Sequence, residues 1–330
     1  MKGVTTKEED TPKSIITCFS KDRLLIFTDQ GRVYGLKAWE TPLGSRHSKG
    51  SHVRNLLGSI REEENIISIM AISKDLVENP QGNFLLFATH LGLIKKTKLE
   101  EYVKINRNGK YAIRFKLEGD KLVNVRSGTN KSDIVMISST GFASRFACSD
   151  IRASGRVSAG VWGIRTGIRG NGGHVVGMVA TDDTETQILT ITKNGMAKRS
   201  RLGTSDKIQD LDSEGNPKRD QEGNLKMITD GYRRTRPGAK GIYTMDVDIS
   251  NGDEIVSIKH IPNVNDNLFL LTKKGMMIRI KASQTKESKG KKSKGTRIME
   301  LRSADKSGYL DSIIFTARLP AELIDSEEEE

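Results

Sequence analysis

Cysteine, aromatic residues and long apolar runs are all scarce in this 330-residue chain. Only Cys18 and Cys148 occur, which excludes a disulfide framework and a four-cysteine zinc site. Aromatic residues make up 5% of the chain, too few for the rows of rings that stack on single-stranded bases. No apolar run approaches the roughly 18 residues that span a membrane. The opening MKGVTTKEEDTPK lacks the apolar stretch of a secretory signal, so we expect a protein of a reducing cytoplasm.

Basic residues outnumber acidic ones: 54 Lys plus Arg stand against 42 Asp plus Glu, a formal net charge of +12. The charge is unevenly distributed, because residues 322–330 hold six acids and no base, which leaves +18 on the rest of the chain. A basic body predicts an anionic partner. An acidic tail on the same chain suggests a competitor for that partner.

Five segments repeat one pattern: an apolar strand, a Thr or Ser, two variable residues, a Gly and a basic strand. They occupy 24–37, 84–98, 134–146, 188–201 and 268–281. The turn glycines are Gly31, Gly92, Gly141, Gly195 and Gly275. Two β-rich runs joined by a short turn ending in Gly predict a β-hairpin. We expect the apolar first strand to be buried on both faces and the basic second strand to lie nearer solvent.

A glycine-containing basic segment follows each hairpin, at 45–57, 105–117, 154–165, 235–247 and 288–301. Each is predicted to be a loop that leads into another alternating strand. An acidic turn and a further apolar run come next, as in SNGDEIVSIKHI. Four short strands per unit of roughly 50 residues predict propeller-like blades, and five or six such blades would use the whole length.

A polar stretch without periodicity, at about 204–231, widens the spacing between the fourth hairpin and its basic segment. We interpret it as an insertion in an otherwise regular repeat. The domain organisation we expect is one ring over 1–325, carrying this insertion, followed by an acidic tail over 326–330.

These repeats resemble the C-terminal domain of the A protein of DNA gyrase, which is related to the equivalent domain of topoisomerase IV. The stretches DRLLIFTDQGRVYGLK, GRVSAGVWGIR and DDTETQILTITKNGMAKRSR carry the resemblance, which extends from Lys2 to about Leu319. It implies an all-β fold, a β-pinwheel of about six four-stranded blades that exchange strands with their neighbours. It also implies an outer rim that binds, bends and wraps duplex DNA without sequence specificity.

The resemblance further implies a non-catalytic part of an ATP-dependent type II topoisomerase that supports negative supercoiling. Duplex DNA, the breakage-reunion domain of gyrase A and gyrase B would be its partners, in the bacterial cytoplasm at the nucleoid. The domain with the catalytic tyrosine is absent from this sequence, so we expect no DNA cleavage by the chain alone. We expect no cofactor, no metal, no membrane contact, and a monomeric isolated domain.

One feature departs from the family. Gyrase carries a Gln-(Arg/Lys)-Arg-Gly-Gly-Lys-Gly box in its first loop, whereas this chain opens at Met1-Lys2-Gly3-Val4. Gly3 gives six loop-type glycines for only five hairpins, so we expect an incomplete first blade. Because the box confers chiral wrapping in the family, a topoisomerase IV-type domain that bends DNA without chiral wrapping is the alternative.

Basic side chains recur at the same offsets in nearly every repeat, and a ring places equivalent positions along one rim. They predict a continuous track for the phosphate backbone. The predicted DNA-binding residues are Lys2, Arg46, Lys49, Arg54, Lys95, Lys96, Lys98, Arg107, Lys110, Arg145, Arg156, Arg165, Lys198, Arg199, Arg201, Arg233, Arg234, Arg236, Lys240, Arg279, Lys281, Lys289, Lys291, Lys292, Lys294 and Arg297.

Two other function classes remain open. A propeller enzyme or sugar-binding module would place acids and histidines at the central channel, and a protein-interaction ring would expose apolar patches. The stretch from Gly290 to Thr296 has the glycine spacing of a phosphate loop but lacks the Lys after its second Gly. We expect Trp39 and Trp162 to be packing anchors rather than base stackers.

Overall fold

A computed structural model describes residues 16–44, 48, 50–167, 170, 172–212, 214–288, 293–301 and 311–322. The strands in this part of the chain are β1 (Arg23–Thr28), β2 (Arg32–Lys37), β3 (Ile66–Ile72), β4 (Asn83–Thr89), β5 (Leu93–Lys98), β6 (Lys110–Tyr111), β7 (Leu122–Thr129), β8 (Asp133–Ser138), β9 (Phe142–Ala147), β10 (Val161–Trp162), β11 (Val175–Thr181), β12 (Gln187–Thr192), β13 (Met196–Arg201), β14 (Lys207–Gln209), β15 (Met227–Thr229), β16 (Ile242–Tyr243), β17 (Ile255–Ile261), β18 (Asn267–Thr272), β19 (Met277–Lys281), β20 (Thr296–Arg297) and β21 (Ile313–Leu319).

Helices are few and short. The α-helices of the described residues are α1 (Val53–Leu56) and α2 (Lys74–Glu78). Single 3₁₀ turns lie at Ala38–Glu40, Leu99–Glu101, Cys148–Asp150, Ile249–Asn251 and Ala282–Gln284. None of these helices is long and apolar enough to cross a membrane.

Five antiparallel sheets form the blades of a propeller-like ring. Their strand orders are β3-β1-β2-β6 (blade 1), β7-β4-β5-β10 (blade 2), β11-β8-β9-β16 (blade 3), β17-β12-β13-β20 (blade 4) and β21-β18-β19 (blade 5). The all-β, blade-based prediction is confirmed. The described residues hold five blades instead of about six, since the sixth was counted from Gly3, which lies outside them.

Each blade from 1 to 4 is completed by a strand from further along the chain. After the blade 2 hairpin, the chain returns to pair β6 with β2, and only then forms β7 at the opposite edge of blade 2. The same path places β10 beside β5, β16 beside β9 and β20 beside β13. Four segments carry these strands, and we call them the exchanged segments: 105–113, 154–165, 233–243 and the described residues of 286–297, which are 286–288 and 293–297. They link every blade to the one before it.

The five Thr/Ser-x-x-Gly turns share one hydrogen-bond pattern. The turn glycine donates its N–H to the carbonyl of the hydroxyl residue, as Gly92 does to Thr89 at 3.1 Å. The hydroxyl oxygen then accepts from the backbone N–H four residues on, as Thr89 Oγ1 does from Leu93 at 3.1 Å. The equivalent bonds are Arg32 to Thr28, Phe142 to Ser138, Met196 to Thr192 and Met276 to Thr272. The predicted hairpins are confirmed, with a side chain that locks each turn.

The acidic turns before the third strands cap these hairpins. Asp120 Oδ1 accepts from the Leu91 N–H at 2.9 Å, and Asp253 and Asp311 accept from Asn194 and Lys274 in the same way. Because all three carboxylates are buried, they fix the hairpin against the inner edge strand with hydrogen bonds that water does not replace.

The apolar core lies between the blades. Leu25 and Phe27 of blade 1 pack with Leu85 and Phe87 of blade 2, and similar clusters fill the next three junctions. The third strands contact one another in order from β3 to β21 and so form the inner edge of the ring. Apolar first strands are buried on both faces for this reason, as the sequence predicts.

The first basic segment departs from its prediction. Instead of leading into a strand, residues 53–56 form α1, and Val53, Leu56 and the buried Leu57 pack on the outer face of blade 1. No earlier hairpin is described for a strand from this segment to join. The helix therefore covers the apolar face that a preceding blade would otherwise cover.

The described residues of 204–231 form an extension of short antiparallel pairings joined by turns. β14 and β15 pair antiparallel, and beyond them two five-residue turns, Asp212–Asn216 and Asp220–Asn224, repeat one design. In each turn the Asp side chain accepts from the backbone N–H of the Asn, at 2.9 Å. The extension lies outside the blade sheets.

Replacing Gly92 should destabilise the fold more than replacing Gly82. Both residues have positive φ, +103° and +76°, but a Cβ on Gly92 would lie 2.1 Å from the Ile164 carbonyl, whereas Gly82 has nothing within 4 Å. We expect Gly82→Ala to cost about 1 kcal/mol for its backbone conformation alone, and Gly92→Ala about 2 kcal/mol or more. Urea unfolding measures both, and equal losses would contradict a close approach of the exchanged segment at this turn.

Candidate nucleic-acid interface

The exchanged segments bring basic side chains to one equivalent edge of four successive blades. Each carries its two-residue strand to the free side of a second hairpin strand, far from the inner edge. Segment 233–243 alone holds four bases and no acid. Because the same edge is used in each blade, charges that are separated along the sequence share one rim of the ring.

Most of the predicted contact residues that the structure describes lie on the surface. The exposed ones are Arg54, Lys98, Arg107, Lys110, Arg165, Arg233, Arg234, Arg236, Lys240, Lys281, Lys294 and Arg297. Arg156, Arg201 and Arg279 are partly buried. Lys2, Arg46, Lys49, Lys289, Lys291 and Lys292 lie outside the described residues.

Five predicted contact residues are buried: Lys95, Lys96, Arg145, Lys198 and Arg199. All lie on β5, β9 or β13, the second strands of blades 2 to 4. The expectation that these strands lie nearer solvent is wrong, because the exchanged segment covers their outer edge. A buried side chain offers no surface to a phosphate, so these five leave the candidate interface.

The buried bases hold the exchanged segments by their backbone carbonyls. Lys95 Nζ donates to the carbonyl of Ala112, at 2.6 Å, and to that of Arg156. Lys198 Nζ donates to the Thr244 carbonyl. Ala112 and Thr244 each follow directly after an exchanged strand, so a lysine of one blade fixes the strand donated to the blade before it.

A second set of buried contacts ties the second strand to the first. Arg145 Nη2 donates to Asp133 Oδ2, and its Nη1 donates to the Leu202 and Tyr232 carbonyls at 2.8 Å. The equivalent Arg199 contacts Gln187 and the Thr285 carbonyl. Both Nη atoms of Arg145 are hydrogen-bonded, whereas its buried Nε has no partner. Removal of one partner would leave a costly buried charge.

Burial shifts the pKa values of these groups. Desolvation lowers the pKa of Lys95 to about 7 and that of Lys198 to about 8. Burial alone would raise the pKa of Asp133, but hydrogen bonds from Arg234 and Arg145 outweigh it and lower that pKa. Arg234, half-exposed and 2.8 Å from Asp133, thus connects this buried pair to the surface.

Several of the exposed or partly buried bases have acidic neighbours. Arg54 lies 3.0 Å from Glu62, Arg107 lies 3.2 Å from Glu40, and Arg201 forms a two-pronged contact with Glu185 at 2.6 and 2.7 Å. Such surface pairs add little to stability. They do reduce the positive charge that these three side chains present at the rim.

The loop glycines serve the blade junctions. A Cβ on Gly160 would lie 2.5 Å from the Ile94 carbonyl, and one on Gly295 would lie 2.3 Å from the Ala197 carbonyl. In the structure these glycines let the exchanged segment approach the second strand of the neighbouring blade.

The inner edge of the ring is basic rather than acidic. Arg126 on β7, Lys259 on β17 and Arg318 on β21 influence one another electrostatically, although they belong to three blades. Burial, with repulsion from the two arginines, lowers the pKa of Lys259 to about 8. The channel enzyme alternative calls for acids and histidines here, and no cluster of metal-ligating side chains occurs among the residues the structure describes. The repeat pattern does not reveal these bases, because they occupy single positions in otherwise apolar strands.

The prediction that both tryptophans are packing anchors is wrong, because both side chains reach the surface. Trp39 is 61% exposed and Trp162 is 37% exposed. Each ring carries a basic side chain over its face, Lys37 at 5.6 Å and Arg165 at 5.9 Å from the ring centre.

The chain matches the model of the DNA gyrase C-terminal domain, a β-propeller, over residues 22–73, 83–127, 132–182, 186–204, 229–262 and 266–306. It is 33% identical over 302 residues to the DNA gyrase A protein of Staphylococcus epidermidis (strain ATCC 12228 / FDA PCI 1200), covering 91% of this chain and 30% of the relative. It is 34% identical to the DNA gyrase A protein of Staphylococcus aureus (strain MRSA252), with the same coverage. The chain thus spans about 30% of the length of these curated relatives.

Two solved structures share the fold. The C-terminal domain of DNA topoisomerase IV aligns with a TM-score of 0.72 at 20% identity, over 99% of this chain and 89% of that one. A DNA gyrase A C-terminal domain aligns with a TM-score of 0.67 at 18% identity, over 92% and 84% of the respective chains. At these identities the likeness concerns the fold alone.

Lys95 should make stability rise with pH. Its folded pKa, about 7, lies below the ordinary value of 10.5, so between these values the unfolded chain holds a proton that the folded chain has lost. The folded state therefore gains up to about 1.4 kcal/mol per pH unit as pH increases from 7 to 10, and loses it as pH falls. Lys95→Met should remove this gain, so the stability of wild type relative to the variant should grow with pH in denaturant titrations.

The matched control is Lys98→Met, three residues along the same strand but exposed. The pH-dependent change in stability relative to wild type should be larger for Lys95→Met than for Lys98→Met. A flat profile for Lys95→Met would contradict the burial of the Lys95 amine.

Proposed function

Because this chain belongs to the DNA gyrase C-terminal domain family of β-propellers, we propose that it binds, bends and wraps duplex DNA around the outer edge of its blade ring. The observation that carries this proposal is the placement of the exchanged segments. Four basic segments lie on equivalent blade edges, which is the arrangement that a continuous, curved phosphate backbone requires.

Such a surface suits a sequence-independent partner. Bases on loops and two-residue strands can neutralise phosphates, whereas reading of base edges requires a helix or ribbon inserted into the major groove. Among the described residues the longest α-helix has five residues. Binding should therefore depend on charge, salt and DNA flexibility.

Bending imposes a cost that many contacts must offset. A compact chain of this length has a rim radius of about 26 Å, which puts the axis of bound DNA at about 36 Å. One full turn of smooth bending then costs on the order of 25 kcal/mol, and half a turn about half as much. A rim with roughly ten to twenty phosphate contacts can supply this through counterion release, and a single site cannot.

In the whole enzyme, the bent duplex would be presented to the breakage-reunion domain of gyrase A. Strand passage, driven by ATP hydrolysis on gyrase B, would then be biased toward negative supercoiling. This role places the chain in the bacterial cytoplasm, at the nucleoid, as a domain without catalytic chemistry of its own. Its support is the family and the 91% coverage of this chain by its gyrase A relatives.

Bending without chiral wrapping, as a topoisomerase IV-type domain, is the second candidate. It is a candidate because the C-terminal domains of topoisomerase IV and of gyrase A both share this fold. A plasmid topology assay separates the two: relaxed plasmid is incubated with the chain, resealed and freed of protein. A salt-sensitive change in linking number supports chiral wrapping, and binding without a change supports bending alone.

Removing one rim base from each of three exchanged segments should weaken DNA binding. The triple variant Lys110→Ala, Arg236→Ala and Arg297→Ala should bind duplexes of any sequence more weakly. Its plot of log affinity against log salt should be shallower by up to about 2.7, since each lost phosphate contact removes about 0.9. Fluorescence anisotropy at several salt concentrations measures both quantities.

The control changes net charge equally but away from the exchanged segments, with Lys74→Ala, Lys131→Ala and Lys207→Ala. All three lysines are exposed. Equal effects of the two triple variants would show that overall charge, not the rim, drives binding. A wild-type chain that fails to bind duplex at low salt would overturn the DNA-wrapping proposal and restore the ligand-binding and interaction alternatives.

A further inference from the structure

The exchanged strands share a second feature besides charge. The second residue of each exchanged strand pairs with the first residue of a second hairpin strand. These four residues are Tyr111, Trp162, Tyr243 and Arg297, and their partners are Arg32, Leu93, Phe142 and Met196 in the same order. Three of the four are aromatic and the fourth has a planar guanidinium. We call these four residues the flat row. Aromatic residues are only 5% of the chain, so their recurrence at one register position of successive blades is notable.

The flat row is open to solvent. Tyr111 is 51% exposed and Trp162 is 37% exposed, with the neighbouring Val161 exposed by 54%. Tyr243 is partly buried: its ring packs on Phe142 at 5.2 Å, and its hydroxyl donates to Asp246 at 2.8 Å. The rings are thus held in place but not enclosed, which leaves apolar area free at the blade edge.

Positive charge accompanies the rings. The Arg32 guanidinium lies 5.7 Å from the centre of the Tyr111 ring, and that of Arg165 lies 5.9 Å from the Trp162 ring. Lys110 directly precedes Tyr111 in the same exchanged strand. A phosphate bound by these bases would put its own deoxyribose beside the ring, because sugar and phosphate alternate along the backbone.

We propose that the flat row contacts the deoxyribose faces of bound duplex DNA and supplies the part of the binding that salt does not weaken. This inference rests on the proposed DNA binding and extends it to an apolar contact. Bases inside a duplex are stacked on one another, whereas sugar C–H groups lie at its surface. Contacts to sugar and phosphate carry no sequence information, so the row would hold DNA of any sequence.

Apolar and ionic contacts respond differently to salt. Loss of a phosphate contact reduces the slope of log affinity against log salt by about 0.9. Loss of buried apolar area lowers affinity by the same factor at every salt concentration. Trp162→Ser should therefore weaken binding about three- to tenfold with an unchanged salt slope, whereas Lys110→Ala should reduce the slope.

The two tryptophans provide a matched pair. Trp39 is more exposed than Trp162 and also lies under a lysine, but it belongs to a 3₁₀ turn outside the flat row. Trp39→Ser should leave DNA affinity unchanged. Thermal melts test whether both variants fold. Tryptophan emission tests the same contact in a chain that keeps Trp162.

In Trp39→Phe, Trp162 is the single tryptophan, and its emission should be quenched and shifted to shorter wavelength when a duplex of mixed sequence binds. In Trp162→Phe, emission from Trp39 should not change. The inference is overturned if DNA binds with Trp162 emission unaltered, or if Trp162→Ser and Trp39→Ser lose affinity equally. Absence of DNA binding by the wild-type chain is a different outcome, which overturns the proposed function itself.

Discussion

The strand that each repeat gives to the preceding blade is the contact on which the rest of the structure depends. A sheet of three strands leaves the edge of its second strand unpaired, and an unpaired edge is a site for aggregation. The exchanged strands pair that edge in blades 1 to 4. They also join each blade to the next through chain connectivity, so the apolar clusters at the blade junctions form between parts that the backbone already holds together.

The exchange explains why bases occur at two kinds of position. On the second strands, Lys95, Arg145 and Lys198 are covered by the exchanged segments and bind backbone carbonyls. On the exchanged segments themselves, Lys110, Arg236 and their equivalents remain in solvent. Burial disfavours the charged form of an amine and lowers the pKa of Lys95 and Lys198, while carbonyls beside the exchanged strands accept their hydrogen bonds. Basic residues thus stabilise the blade junctions when they lie on second strands, and they give the rim its positive charge when they lie on exchanged segments.

The rim joins three physical properties at one blade edge. The equivalent placement of the exchanged segments gives a curved row of positive charge. Their two-residue strands keep the blade edge narrow. The side chains of the flat row add apolar area beside the charge. Counterion release makes the ionic part of DNA binding strong in dilute salt and weak in concentrated salt. An apolar contact has no such dependence, so the two together would hold a bent duplex over a wider range of conditions.

The hairpins, their turn glycines and hydroxyl residues, and the blade repeat could be predicted from the sequence, because these depend on local pattern and backbone geometry. Only the tertiary structure decided which bases face solvent. Lys96 and Lys98 lie two residues apart on one strand, yet one is buried and the other exposed, because Asn130 and the Cys148 carbonyl, both distant in sequence, accept hydrogen bonds from the Lys96 amine. It also decided that 53–56 is helical, with Val53 and Leu56 packed against an apolar cluster of blade 1. The local pattern of charges does not show whether a segment distant in sequence will bury a basic residue.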